Sequence, residues 1–255
     1  MSMGSFIKEV ADVYRSSRKN QDIFWNVYVA RPMAAMLVYF LRRTPATPNQ
    51  ITFLGVFVFF GAAAALIFWR DPWGMLVAAL ILQLSYLFDC ADGQLARLKG
   101  MTSEVGSHLD FLMDEIKALV LVAAVGLRLW LVYDELWWLI AGMGAVILVA
   151  VATSLTTFVR RPEYAGVEIK PGASAMKKPI PTSLPGKVMW LVERVASFFV
   201  HYPSWFLYVA LLDFVPGFDG AIVFFVLFLG VYLAYTARTS LAILFKLGRP
   251  GFYKS

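Results

Sequence analysis

Apolar positions in this chain gather into long unbroken runs, not into the spaced stripes of soluble amphipathic helices. Ile51 to Trp69 is the first such run, closed by Arg70-Asp71-Pro72. A second extends from about Gly74 into Leu98, a third covers Val105 to Leu127, and a fourth Trp137 to Phe158. After a polar stretch, Val188 to Phe199 and Trp205 to Val215 form a broken pair around His201 and Pro203. The first half of that pair reads as interfacial and the second as most of a fifth span. A last run goes from Ala221 to about Phe245. A helix that crosses a bilayer needs about 20 mostly apolar residues, so the pattern predicts an all-α polytopic membrane bundle of six transmembrane helices.

Upstream of these runs, Asp22 to Arg43 is aromatic-rich and amphipathic, with Arg31 and Pro32 inside it. Its longest clean apolar stretch, Pro32 to Leu41, is too short to cross and predicts an N-terminal amphipathic helix lying in the interface. Residues 1–46 are therefore expected to form a cytoplasmic and interfacial helical segment, and 47–255 the six-helix unit. Met1 to Lys19 has few apolar residues and no small-residue cleavage site behind an apolar core, so it does not read as a signal peptide. No internal repeat or low-complexity segment is apparent.

Loop charges set the expected orientation, because basic residues accumulate on the cytoplasmic side. Lys8, Arg15, Arg18, Lys19, Arg42 and Arg43 precede the first span. Lys99, the group Arg160, Arg161, Lys170, Lys177, Lys178 and Lys187, and the tail's Lys246, Arg249 and Lys254 fall on the same side. The opposite loops hold Arg70 and Arg128 with Asp71, Asp134 and Glu135. Both termini are thus expected in the cytoplasm.

Composition agrees with the pattern. The 255 residues are 60% hydrophobic and 16% charged, with a mean hydropathy of +0.67, against about 45–50% and about 25% in an average soluble domain. The net charge of +6 needs only loops beside anionic headgroups. No zinc spacing or recognition-helix pattern points to nucleic acid. The single cysteine, Cys90, allows no internal disulfide and suits a cytoplasm-facing site.

What apolarity does not explain is the boundary between the second and third runs. The second ends Phe88-Asp89-Cys90-Ala91-Asp92-Gly93-Gln94-Leu95-Ala96-Arg97, and the third begins Gly106-Ser107-His108-Leu109-Asp110-Phe111-Leu112-Met113-Asp114. A carboxylate at membrane depth costs about 2.5–3.5 kcal/mol, so four would cost on the order of 10 kcal/mol if nothing compensated. At about 100° per residue, Asp89, Asp92, Gly93, Ala96 and Arg97 share one helix face. Asp110, Asp114 and Gly106 share a stripe of the next helix, with Lys117 beside it. A short turn around Lys99 to Glu104 makes the two helices antiparallel neighbours, so the acidic faces meet. Four hard oxygen donors suit Mg²⁺, Mn²⁺ or Ca²⁺, and four negative charges balance two divalent ions, a recurring device in phosphoryl chemistry. Gly93 and Ala96 leave room for a phosphorylated ligand, and Arg97 can pair with a phosphate or with an aspartate.

These residues spell D-x2-D-G-x2-A-R-x8-G-x3-D-x3-D from Asp89 to Asp114 without a departure. Eight fixed positions coincide by chance about once in 10¹⁰ placements at average residue usage. The motif resembles the signature of the CDP-alcohol phosphotransferase (CDP-alcohol phosphatidyltransferase) family. Thr47-Pro48-Asn49-Gln50-Ile51-Thr52 at the first span is a weaker likeness. The resemblance implies a six-helix bundle, usually a homodimer, with a polar cavity open to the cytoplasm. It implies a magnesium or manganese site at Asp89, Asp92 and Asp110, with Asp114 as general base lying against the metals. It also implies a CDP pocket at Gly93, Ala96 and Arg97, shared with Asp89 and Asp92 and reached by Asn49. The expected reaction passes a phospho-alcohol, preferably phosphatidyl, group from a CDP-linked donor to an alcohol and releases CMP. CDP-diacylglycerol with a phosphorylated acceptor is favoured over a soluble CDP-alcohol with a lipid acceptor, because Lys117, Arg160, Arg161 and Arg238 are candidates to grip an anionic acceptor.

Structural readings compete at several of these positions. Arg160, Arg161 and Arg238 can serve as positive-inside anchors, and Lys117 can pair with an acid or snorkel. His108 lies off the acidic stripe, His201 reads as a loop residue, and Cys90 as a small buried group. Trp69, Trp73, Trp137 and Trp138 read as interface anchors. A cation- or proton-coupled transporter would explain the aspartates, but not the spaced Gly93, Ala96, Arg97 and Gly106. An intramembrane aspartyl protease needs two acids and leaves two unexplained.

Overall fold

The computed structural model describes residues 3–18, 25–161, 183, 186, 187 and 201–247. All regular structure among them is helical. Helix α1 is Met3–Ser17, and a π-helical turn, Asn26–Ala30, leads into α2, Arg31–Leu41. Next along the chain are α3, Pro48–Phe68; α4, Pro72–Lys99; α5, Glu104–Tyr133; α6, Leu136–Val159; α7, Tyr202–Leu212; and α8, Gly220–Leu247. Five of these, α3, α4, α5, α6 and α8, are long and apolar enough to cross a membrane. The protein is an integral membrane protein.

Against six expected spans, the broken pair accounts for the difference. Val188 to Phe199 lies outside the described residues. The second half of the pair is α7, whose 11 residues reach about 16 Å, half of a hydrocarbon core of about 30 Å. His201 lies outside regular structure, as the sequence reads it, immediately before α7; it is half-buried, with its Nδ1 2.5 Å from Ser204 Oγ.

Local chemistry explains the helix boundaries. Thr47 opens α3 through a reciprocal cap: its hydroxyl accepts from Gln50 N and its N–H donates to Gln50 Oε1 at 2.9 Å, with Pro48 in the first turn. Asp71 caps α4 by accepting from Gly74 N at 3.0 Å. Only glycine fits at position 74, since a Cβ there would lie 1.7 Å from Trp69 O. Gly100, at φ +66°, ends α4 in the left-handed region, and Ser103 caps α5 by accepting from Gly106 N at 3.0 Å. The spacing predicts direct antiparallel neighbours; instead α4 and α5 each pack on α3 and have little contact with each other.

The main core is buried between α3, α4, α5, α6, α7 and α8, around Phe59, Leu82, Leu121, Phe206, Phe224 and Phe228. At the other end of α4, α1 and α2 form a second apolar cluster with it, including Val13, Ala34, Val38, Cys90 and Leu95. The N-terminal segment thus packs on protein through one face. Helix α1, in a stretch the sequence reads as poor in apolar residues, contributes Val13 at 1% exposure.

Arg128 also departs from its expected place in a loop. It sits within α5, 3% exposed, and its guanidinium donates to Leu66 O, Trp69 O, Arg70 O and Asp71 O at 3.2, 2.7, 2.8 and 3.0 Å. It satisfies the orphan carbonyls at the end of α3 and locks the turn into α4. Arg128→Ala is expected to lower stability by about 3 kcal/mol, read as a fall in the apparent unfolding midpoint in detergent. Arg128→Lys, which cannot serve four carbonyls from one planar fork, should recover only part of it.

Candidate functional site

The turn at Gly100 and Ser103, with α4 and α5 both packed on α3, brings the four motif aspartates to one end of the bundle. Asp89 and Asp92 come from α4, Asp110 and Asp114 from α5. They are electrostatic neighbours: Asp89 feels Asp92 and Asp110, Asp92 feels Asp110, and Asp114 feels Asp89 and Asp110. Asp92 is 6% exposed, whereas the Asp114 side chain is 59% exposed, so the cluster grades from a buried floor to an open rim.

Two side chains compensate the buried end. Lys117, 4% exposed, donates to both carboxylate oxygens of Asp89 at 2.5 and 2.6 Å and lies 3.8 Å from Asp114 Oδ1. Thr52 of α3 donates its hydroxyl to Asp92 Oδ2 at 2.5 Å. Gly55, one turn further on α3, lets that helix approach α4. A Cβ there would stand 3.1 Å from Phe88 Cβ and 3.3 Å from Asp89 Oδ1, and Ser85 Oγ donates to Gly55 O at 2.8 Å.

No three carboxylate, histidine or cysteine groups among the described residues close into a ligand shell. The donor set nevertheless fits a hard divalent cation. It is all oxygen, it converges from two helices, and a cationic group, the Lys117 ammonium, already stands between Asp89 and Asp114.

The remaining expected site residues divide. Gly93 lies on the Asp89 face, with the Arg97 guanidinium 3.4 Å from where a Cβ would be. Ala96 is half-buried on the same helix. Arg97 is held from behind, its Nε donating to Ser17 O of α1 at 2.6 Å. Asn49 is exposed in the first turn of α3 and is not brought against the aspartates by any bond between described residues. Arg160 stacks 4.0 Å above the Phe111 ring, next to Asp110. Thr156 and Tyr235 hydroxyls, 2.9 Å apart, pin α6 to α8 one turn before Arg160 and Arg238, so both arginines lie at the motif end of the bundle. Arg161 and Arg238 are exposed.

Beside Asp89, Asp114 and Lys117 lies a cavity of about 220 Å³ running down into the bundle. Its far wall is made of residues that sequence reasoning missed: Tyr86 of α4, His201, Tyr202 and Pro203 at the start of α7, and Tyr232 of α8. Glu115, bonded by the Thr153 hydroxyl, also lines it. The one legible signal was the break at His201 and Pro203, which admits polar groups to the interior.

If the carboxylates are a cation site, Lys117→Met removes the resident charge from a buried pair and should destabilise the fold by about 3–5 kcal/mol. Mg²⁺ at about 100 times its Kd should return about 2–3 kcal/mol, a larger rise than in the parent protein. Unfolding midpoints with and without Mg²⁺ check this, and no ion-dependent rise in either protein would contradict it.

The family model for CDP-alcohol phosphatidyltransferase matches residues 45–215. A bifunctional IPC transferase and DIPP synthase of Aquifex aeolicus is 27% identical over 107 residues, 42% of this chain and 24% of that protein. A phosphatidylinositol phosphate synthase of Corynebacterium glutamicum is 33% identical over 107 residues, 42% of this chain and 44% of the relative. The match therefore spans less than half the length of either relative. The crystal structure of Mycobacterium tuberculosis phosphatidylinositol phosphate synthase with CDP-DAG bound superposes with a TM-score of 0.56 at 16% identity, over 88% of this chain and 96% of that one. At that identity the likeness is one of fold.

Proposed function

Because the chain belongs to the CDP-alcohol phosphatidyltransferase family, we propose that it transfers a phosphatidyl group from CDP-diacylglycerol to a phosphorylated alcohol, with release of CMP. The observation that carries the reading is the complete aspartate motif, folded into one converging cluster at the mouth of an interior cavity. The solved neighbour with CDP-DAG bound supports the donor, and the phosphatidylinositol phosphate synthase relative supports an inositol phosphate acceptor.

Each residue then has a physical task. Asp89, Asp92, Asp110 and Asp114 would hold two divalent ions, Mg²⁺ or Mn²⁺, which when bound supply neutralisation of the donor's pyrophosphate. Gly93 and Ala96 leave the α4 face low enough for the nucleotide, and Arg97 and Asn49 contact it. Asp114, accessible from the cavity, takes the proton of the acceptor hydroxyl. The new bond forms between that oxygen and the donor's β-phosphorus, and the bond to the CMP oxygen breaks. Arg160, Arg161 and Arg238 hold the acceptor phosphate, with Lys117 balancing charge within the cluster. The motif end faces the cytoplasm, as the loop charges require, and residues 1–46 brace a catalytic unit of 47–255. The functional unit is a homodimer.

The test is CMP release by protein in lipid with Mg²⁺, CDP-diacylglycerol and inositol phosphate. Asp114→Asn should lower kcat by at least about 10²-fold, the range of a lost general base. Arg160→Ala and Arg238→Ala should raise the acceptor KM about tenfold with kcat nearly unchanged. CMP release unaffected by Asp114→Asn would sink the assignment.

A further inference from the structure

The far wall of the interior cavity holds two tyrosines that no step above uses. Tyr202, in the first turn of α7, and Tyr232, on α8, line the same 220 Å³ space as Asp114. Both are electrostatic neighbours of Asp114 and Glu115. Their rings are fixed: Tyr232 stacks on Phe228 at 4.6 Å between centroids, and Tyr202 meets the same ring edge-on at 5.7 Å. Phe228 itself is 1% exposed. Neither tyrosine hydroxyl has a hydrogen-bond partner among the described residues. Both residues are only partly buried, so their hydroxyls stand open to the cavity. A cavity of about 220 Å³ has room for several waters or a small polyol.

We propose that Tyr202 and Tyr232 form an acceptor-selecting subsite that hydrogen-bonds the non-reacting hydroxyls of a polyhydroxylated acceptor while its attacking hydroxyl faces Asp114. This rests on the transferase reading and deepens it. The arginines at the mouth take the phosphate, and the tyrosines at depth count hydroxyls. Each phenol both donates and accepts, which matches a polyol and offers nothing to an acceptor without hydroxyls beyond the reacting one. Rings around a cavity also suit a quaternary ammonium group, and the test separates the two.

Tyr202→Phe, Tyr232→Phe and the double variant keep the ring and remove only the hydroxyl. Steady-state CMP release is measured with inositol phosphate, glycerol phosphate and choline as acceptors, with CDP binding as a control for folding. The expected result is an acceptor KM for inositol phosphate raised about five- to tenfold per hydroxyl lost, a smaller change for glycerol phosphate, and an unchanged donor KM. An unchanged inositol phosphate KM in both variants, with CMP still released, overturns the subsite and leaves the transferase reading standing. Choline as the preferred acceptor, insensitive to both substitutions, overturns it in favour of ring-face recognition. No CMP from the parent protein with any acceptor counts against the transferase reading itself, and the subsite falls with it.

Discussion

Lys117 holds both oxygens of Asp89 at 2.5 and 2.6 Å inside a largely apolar bundle, and much of the architecture serves the needs of that pair. Four carboxylates placed in hydrocarbon would cost on the order of 10 kcal/mol. Helix lengths reduce that cost. With 28 and 30 residues, α4 and α5 are about 42 and 45 Å long, more than the roughly 30 Å core. The surplus turns carry the motif toward the headgroup region. Asp114, ten residues into α5, stays open to the rim, while Asp89 and Asp92, deeper in the packing, receive Lys117 and Thr52. Charge at this end and Arg128 at the other are handled alike: each buried ionic group is given fixed partners.

Helix α4 is also braced by the part of the chain that precedes α3. Gln94 donates to Arg31 O at 2.9 Å, Tyr86 to Asn26 Oδ1 at 2.6 Å, and Lys99 to Thr44 O and Ala46 O at 2.7 and 2.8 Å. Arg97 joins this set through Ser17 O. The N-terminal helices thus act on the orientation of the motif helix, although they lie outside the matched family region of 45–215. A nucleotide approaching Gly93 would meet an arginine whose Nε is anchored and whose terminal nitrogens lie along the glycine.

Long apolar runs were the legible part of the fold, because hydrocarbon thickness imposes one length on every span. The run Ile51 to Trp69 became Pro48–Phe68, and Trp137 to Phe158 became Leu136–Val159. The third run stops at Leu127 in the sequence because Arg128 reads as a stop, although four carbonyls absorb its charge and the helix continues to Tyr133. Helix α1 is not legible as a packed element because only Val13 of its apolar residues is fully buried, while Met3 and Ile7 stay exposed. In the site, the aspartates were legible from spacing within two adjacent helices. The cavity wall was not, since Tyr86, Tyr202 and Tyr232 come from three helices far apart in sequence, and a tyrosine in an apolar run looks like any other core ring. Lys117 was legible as a charge beside the motif; that it grips Asp89 depends on how α4 and α5 each pack on α3.

The central claim is that the α4–α5 aspartates form one joint site for divalent cation and nucleotide. Its most direct test is the affinity of the purified protein in lipid for CDP, titrated with and without Mg²⁺, alongside Asp92→Asn and Asp110→Asn. The account predicts that Mg²⁺ tightens CDP binding by at least about tenfold, about 1.4 kcal/mol of coupling, and that either substitution abolishes the gain. Equal CDP affinity with and without the ion, or ion-dependent binding that survives both substitutions, would contradict it.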